Sequence, residues 1–99
     1  MKIWLLQPAQ QELAEAIGYY NHERPGLGDA FRHEAWQAIE RIQAFPMAWS
    51  PLTEHIRRCQ LHRFPYGVIY APAAREIVVV AIAHLHRSPA YWRSRMQQS

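Results

Sequence analysis

Seven consecutive apolar residues, Ile77-Val78-Val79-Val80-Ala81-Ile82-Ala83, constrain this chain more than any other segment. Valine and isoleucine branch at Cβ and favour an extended backbone, and the run has the length of a strand rather than of a helix. A half-exposed strand alternates apolar and polar side chains, because successive Cβ atoms point to opposite faces. This run does not alternate, so both of its faces must be covered. It belongs in the centre of a sheet, with helices packed over one side. In 99 residues a second core does not fit, so the rest of the chain is arranged around this strand as one domain, residues 1–99.

The neighbouring segments read accordingly. Lys2 to Gln7 is a short strand stopped by Pro8, which also suits the first turn of a helix. From Ala9 to Tyr20, Leu13, Ala16, Ile17 and Tyr20 recur at helical spacing, with Gln10, Gln11, Glu12 and Glu15 facing out. Asn21 to Gly28, with Asn, Pro and two glycines, is the break. A second helix from Gly28 or Asp29 to Phe45 carries the stripe Phe31, Ala35, Ala38, Ile42 and Phe45, and Pro46 ends it. Two helices joined by a short loop pack as a hairpin. Met47 to Thr53 is an extended loop, His55 to His62 and Tyr66 to Tyr70 are strands, and a loop or short helix follows His84. The expected fold is α+β: β-α-α-β-β-β, with a curved, mostly antiparallel sheet carrying a two-helix hairpin on one face.

Charge divides the chain. Residues 1–49 hold four basic and six acidic side chains, net −2; residues 50–99 hold seven and two, net +5. Ten of the eleven basic residues are arginine, whose planar fork suits phosphates and bases better than solubility requires. The second half therefore points toward a polyanion or an acidic protein surface; a merely solvated face is the alternative. No apolar run nears the roughly 18 residues of a membrane span, and the N-terminal apolar stretch is too short for a signal peptide, so a cytoplasmic protein without membrane contact is expected. One cysteine, Cys59, excludes an internal disulfide. It reads as a small core residue rather than a nucleophile. His84-Leu85-His86 lacks the further ligands a zinc site needs, so neither metal nor cofactor is expected.

From Ala9 to Arg95 the chain resembles the RelE/ParE toxins of type II toxin–antitoxin systems. The likeness is carried by Glu12 to Tyr20, Pro25-Gly26-Leu27-Gly28 with Phe31 and Phe45-Pro46, Ile56-Arg57-Arg58, Arg63-Phe64-Pro65-Tyr66, Val68-Ile69-Tyr70, Ile77 to His84, and the end from His84 to Arg95. The resemblance implies a growth-inhibiting toxin, of plasmid-stabilisation type, with a cognate antitoxin protein. RelE-like members cut mRNA on the ribosome, whereas ParE-like members poison DNA gyrase. RNA-cutting members commonly bear arginine where Gly67 stands and another near Leu85; Arg87 and Tyr91 are retained.

Cutting RNA through its own 2′-hydroxyl needs a proton acceptor, cations for the crowded phosphate and a proton donor for the leaving oxygen. His84, His86, Arg87 and Tyr91 are the catalytic candidates, and Arg58, Arg63, Arg93 and Arg95 the nucleic-acid-binding ones. Arginine stays charged and only stabilises; histidine exchanges protons near neutrality; tyrosine stacks or donates. Each has a quieter alternative: His84 as a backbone-bonded strand end, His86 and Arg87 as solvated loop residues, Tyr91 and Trp92 as caps on the open side of the core. Arg57 and Arg58 fall on opposite faces of one strand. With Cys59 and Leu61 inward, Arg57 shares their face and Arg58 the other. Three readings follow: a metal-independent mRNA endonuclease, a gyrase-binding inhibitor, and a non-toxic basic nucleic-acid-binding module.

Overall fold

A computed structural model describes residues 1–97. In chain order it comprises β1 (Lys2–Leu5), α1 (Gln7–Glu23), α2 (Leu27–Ala44), β2 (Ser50–Pro51), β3 (Arg57–Gln60), β4 (Tyr66–Pro72), β5 (Glu76–His84) and α3 (Ala90–Gln97). The sheet order is β1-β5-β4-β3-β2, with β1 parallel to β5 and the other pairs antiparallel. The long apolar strand β5 thus lies between β1 and β4, flanked on both sides as its composition requires. No described helix is long and apolar enough to cross a membrane.

The helical hairpin covers one face. Phe31, Ala35, Ala38 and Ile42 of α2, with Ala9, Leu13 and Ala16 of α1, pack on Cys59, Val68, Tyr70, Ile77, Val79 and Ile82. The other face is covered too: Trp92 of α3, only 3% exposed, packs over Ile56, Ile69, Val80, Ala81 and Ala83. The helices therefore lie on both sides of β5 rather than one. Phe45, expected at the end of the α2 stripe, is exposed instead, because α2 ends at Ala44 and Phe45 leaves the helix at φ −139°.

The expected eight-residue break between the helices shrinks to Arg24–Gly26. Asn21 does not end α1; its side-chain oxygen accepts from the Gly28 N–H at 2.7 Å and ties the two helices together. Gly26, at φ 89°, supplies the left-handed backbone that reverses the chain.

A β-bulge re-aims the end of β5. Tyr70 pairs with Val79 but Ile69 with Ala81, leaving Val80 as the extra residue. Before the bulge Ile77 and Val79 face the helical hairpin; after it Ile82 does, while Ala81 and Ala83 face α3. The alternation has shifted by one, which puts His84 on the hairpin side, its ring 5.2 Å from that of Tyr66.

Tyr70 is fully buried and donates to the Pro46 carbonyl at 2.6 Å. Burial pushes its hydroxyl from 10.0 up to about 12, against a smaller opposing effect of Arg57. The folded state thus holds this proton more tightly than the unfolded chain does. Its contribution is complete below pH 10 and is lost as pH rises through 12, about 2–3 kcal/mol in all. Urea midpoints measured between pH 9 and pH 12 should fall more steeply for wild type than for Tyr70→Phe. Parallel curves would show that Tyr70 ionises as freely folded as unfolded.

Candidate functional site

The site forms where β5 ends. Leu85 donates its N–H to Pro65 O and Arg87 to His84 O, a tight turn that projects the Arg87 side chain outward. Ser88 Oγ then accepts from Ala90 N–H at 3.3 Å and opens α3, which carries Tyr91, Trp92 and Arg93. One turn of chain therefore links the strand-end histidine to the tyrosine of α3.

Two cavities meet at His84 and Arg87, both of which line each. The first, about 150 Å³, gathers the guanidinium-bearing side chains of Arg58, Arg87 and Arg93 around His84 over the apolar Ile69, Leu85 and Trp92. No carboxylate lines it among the described residues. Gly67 makes this possible. A Cβ there would sit 2.9 Å from Arg58 Cγ and 3.0 Å from its Cδ, so the absence of a side chain leaves room for the Arg58 stem to cross β4. Arg58 indeed lies on the face opposite Cys59, while Arg57 turns back to donate to the Trp49 carbonyl at 2.6 Å.

His84 is held by its neighbours. Its Nδ1 accepts from the His86 N–H at 3.2 Å, so the neutral ring carries its proton on Nε2 and presents a donor. The His86 ring is 5.4 Å away and exposed, outside the lining of both cavities.

The second cavity, about 230 Å³, lies between α1 and α3 and is walled by Tyr19, Tyr66 and Tyr91 together with Glu12 and Glu15. The Arg87 guanidinium sits 4.1 Å over the Tyr91 ring and that of Arg95 5.2 Å from it. Burial raises the Tyr91 pKa, with Glu12 adding and Arg87 and Arg95 opposing. The phenol is therefore a proton donor at neutral pH.

The structure separates three of the eight candidates from this group: His86, outside both cavity linings, and two arginines. Arg63 stands on the hairpin side of the β3–β4 turn, its Nε 3.4 Å from Glu34 Oε1, and Glu34 also accepts from the His62 and Arg63 backbone N–H groups. Arg95 turns inward: its guanidinium bonds both Glu12 oxygens at 2.9 Å and the Val80 carbonyl at 3.0 Å. Glu12, expected to face out, is in fact mostly buried and also accepts from the Ile82 N–H at 3.1 Å. The pair completes the β5 ladder where β1, ending at Leu5, no longer reaches, and it clasps α3 to α1. Charge pairing between positions 83 residues apart leaves no local signature, so sequence periodicity alone could not find it. Cys59 is buried, and burial raises its thiol pKa, the state of a core residue.

Comparison with known proteins bears on the family and the fold. The family model described as ParE toxin of type II toxin–antitoxin system, parDE, matches residues 3–89. A solved structure, the chromosomal ParDE TA system from P. aeruginosa, contains a chain that is 17% identical over 87% of this chain and 97% of its own, with a TM-score of 0.76. The likeness to it is one of fold. No curated protein sequence matches.

Proposed function

This chain belongs to the ParE toxin family of type II toxin–antitoxin systems, and from the chemistry of the groove rather than from the family we propose that it arrests growth by cutting ribosome-bound mRNA, with the scissile phosphate in the groove of Arg58, His84, Arg87 and Arg93. The observation that carries this reading is the Arg58 stem crossing Gly67. A guanidinium reaches the groove from β3 even though the position where RNA-cutting relatives commonly bear arginine is glycine. Three cations without an opposing carboxylate suit a phosphate that gains negative charge in its transition state.

Hydrogen bonds, ring contacts and exposure support a role for each residue. The RNA 2′-oxygen attacks phosphorus as the bond to the 5′-oxygen breaks, leaving a 2′,3′-cyclic phosphate and a 5′-hydroxyl. His86, exposed on the rim beside His84 and outside both cavity linings, takes the 2′-hydroxyl proton from the solvent side. His84 donates through Nε2 to a phosphate oxygen, and Arg58 and Arg87 stabilise the charge. Tyr91, kept protonated by burial, gives its proton to the leaving oxygen. Alignment by the ribosome supplies the remainder, since positioning alone contributes on the order of 7–11 kcal/mol.

A second reading, inhibition of DNA gyrase by direct binding, is favoured by the apolar Leu85 and Trp92 in the groove, which suit a protein side chain. Either target is cytoplasmic, and either activity is silenced when a cognate antitoxin protein covers the basic groove. Induced expression with separate pulse-labelling of protein and DNA synthesis discriminates. Protein synthesis should stop first, with messages cut; DNA synthesis failing first, with intact messages, assigns gyrase instead.

A further inference from the structure

The second cavity differs in chemistry from the groove beside it. Tyr19, Tyr66 and Tyr91 line it, and none of their hydroxyls makes a hydrogen bond within the described residues. Burial raises the pKa of Tyr66 and of Tyr91, so both phenols stay uncharged at neutral pH. Of the two carboxylates, Glu12 is engaged by Arg95 and the Ile82 N–H. Glu15, one turn further along α1, accepts only from the neutral Gln11 amide and pairs with no cation among the described residues. Tyr19, four residues on and thus on the same helix face, is 58% exposed. The α1 wall therefore offers hydrogen-bond acceptors beside an aromatic face.

A planar cation with several donors matches this arrangement, and the protein supplies an example of its own. The Arg87 guanidinium lies 4.1 Å over the Tyr91 ring, with that of Arg95 5.2 Å from the same ring. A guanidinium sets its N–H donors in one plane and stacks on aromatic faces, whereas an ammonium has neither plane nor fork. An anion would meet Glu15 here, and has the carboxylate-free groove next door. With Arg95 paired to Glu12, the full charges left on the lining are Glu15 and Arg87. Arg87 also lines the groove, so it has a place to turn to when a second guanidinium enters. A further pocket of about 230 Å³, reaching Pro8 and Gln11, shares Glu12, Glu15, Arg87 and Tyr91 with the cavity. The two adjoin as one trough, with room beside a guanidinium for neighbouring residues of a chain. We propose that this trough between α1 and α3 receives an arginine side chain of a partner polypeptide, its guanidinium held by the Glu15 carboxylate and stacked on the tyrosine rings. Such a contact is independent of which cellular target the groove meets.

Nα-acetyl-arginine amide, titrated into the full chain and followed by backbone amide shifts, tests it. Shifts should centre on Glu15, Tyr19 and Tyr91. The citrulline analogue, of the same shape without the charge, should bind about tenfold more weakly, as expected for losing a charged hydrogen bond. Glu15→Gln should cost about as much, and Tyr19→Leu, which removes an aromatic face, should also weaken binding. Arg87→Gln clears the Tyr91 face and removes a like charge, so it should bind more tightly. An Ala-Arg-Ala peptide blocked at both ends should bind more tightly than the single residue. Equal binding of arginine and citrulline, an unchanged affinity in Glu15→Gln, or weaker binding in Arg87→Gln overturns the guanidinium site. Equal binding of the peptide and the single residue overturns a polypeptide as its source.

Discussion

Gly28→Ala should lower the melting temperature by more than about 10 °C, although it adds one methyl group. Gly28 lies where α2 crosses α1, and a Cβ on it would stand 2.1 Å from the Ile17 carbonyl oxygen and 2.6 Å from Asn21 Cγ. The carbonyl is held in the α1 backbone and cannot rotate away, so the helices must separate. Overpacking of this kind costs about 1–3 kcal/mol, and displacing Asn21 also loses its bond to the Gly28 N–H, about 1 kcal/mol more. A domain of this size is stable by only about 5–15 kcal/mol, so the loss is a large share. Gly18→Ala is the matched control: the same chemical change on α1, with nothing within 4 Å of the new methyl, should gain a few tenths to about 1 kcal/mol. Thermal melts followed by circular dichroism compare the two. A Gly28→Ala protein that melts with wild type would refute the close crossing.

If the chain cuts mRNA as proposed, Arg87→Ala is expected to lower cleavage by about two to three orders of magnitude while leaving the melt unchanged. The side chain is exposed and lines both cavities, and the bond that shapes its turn runs from its backbone N–H to His84 O, which alanine preserves. Removing it takes away a charge beside the position proposed for the reacting phosphate and uncovers one face of Tyr91. Arg87→Lys should recover only part of the activity, because an ammonium keeps the charge but not the planar contact with the ring. The checks are cleavage rate on purified translating ribosomes and colony survival after induction. Full toxicity in a well-folded Arg87→Ala variant would remove the groove as the active surface.

The candidate site was legible in part. His84, Arg87, Tyr91, Arg58 and Arg93 are candidates by residue type, position and family resemblance, and the fold brings them around one strand end. Arg63 had the same appearance in sequence, yet Glu34 holds it on the hairpin side. Arg95 looked like another cation for a polyanion, and Glu12 like a solvated helix residue; each instead satisfies the other and an open stretch of β5. What an arginine does depends on whether a carboxylate from a distant segment reaches it first.

Local chemistry in the chain was enough to determine the central strand, the two amphipathic helices and their order, and the basic second half, because periodicity, proline and glycine act over a few residues. Only the tertiary structure decided which face each candidate residue occupies. The bulge at Val80 shifts the alternation of β5 so that His84 joins the hairpin side, and the bare backbone at Gly67 lets Arg58 cross into the groove. Both outcomes depend on how one strand registers with the next, a property of the pair of segments rather than of either sequence alone.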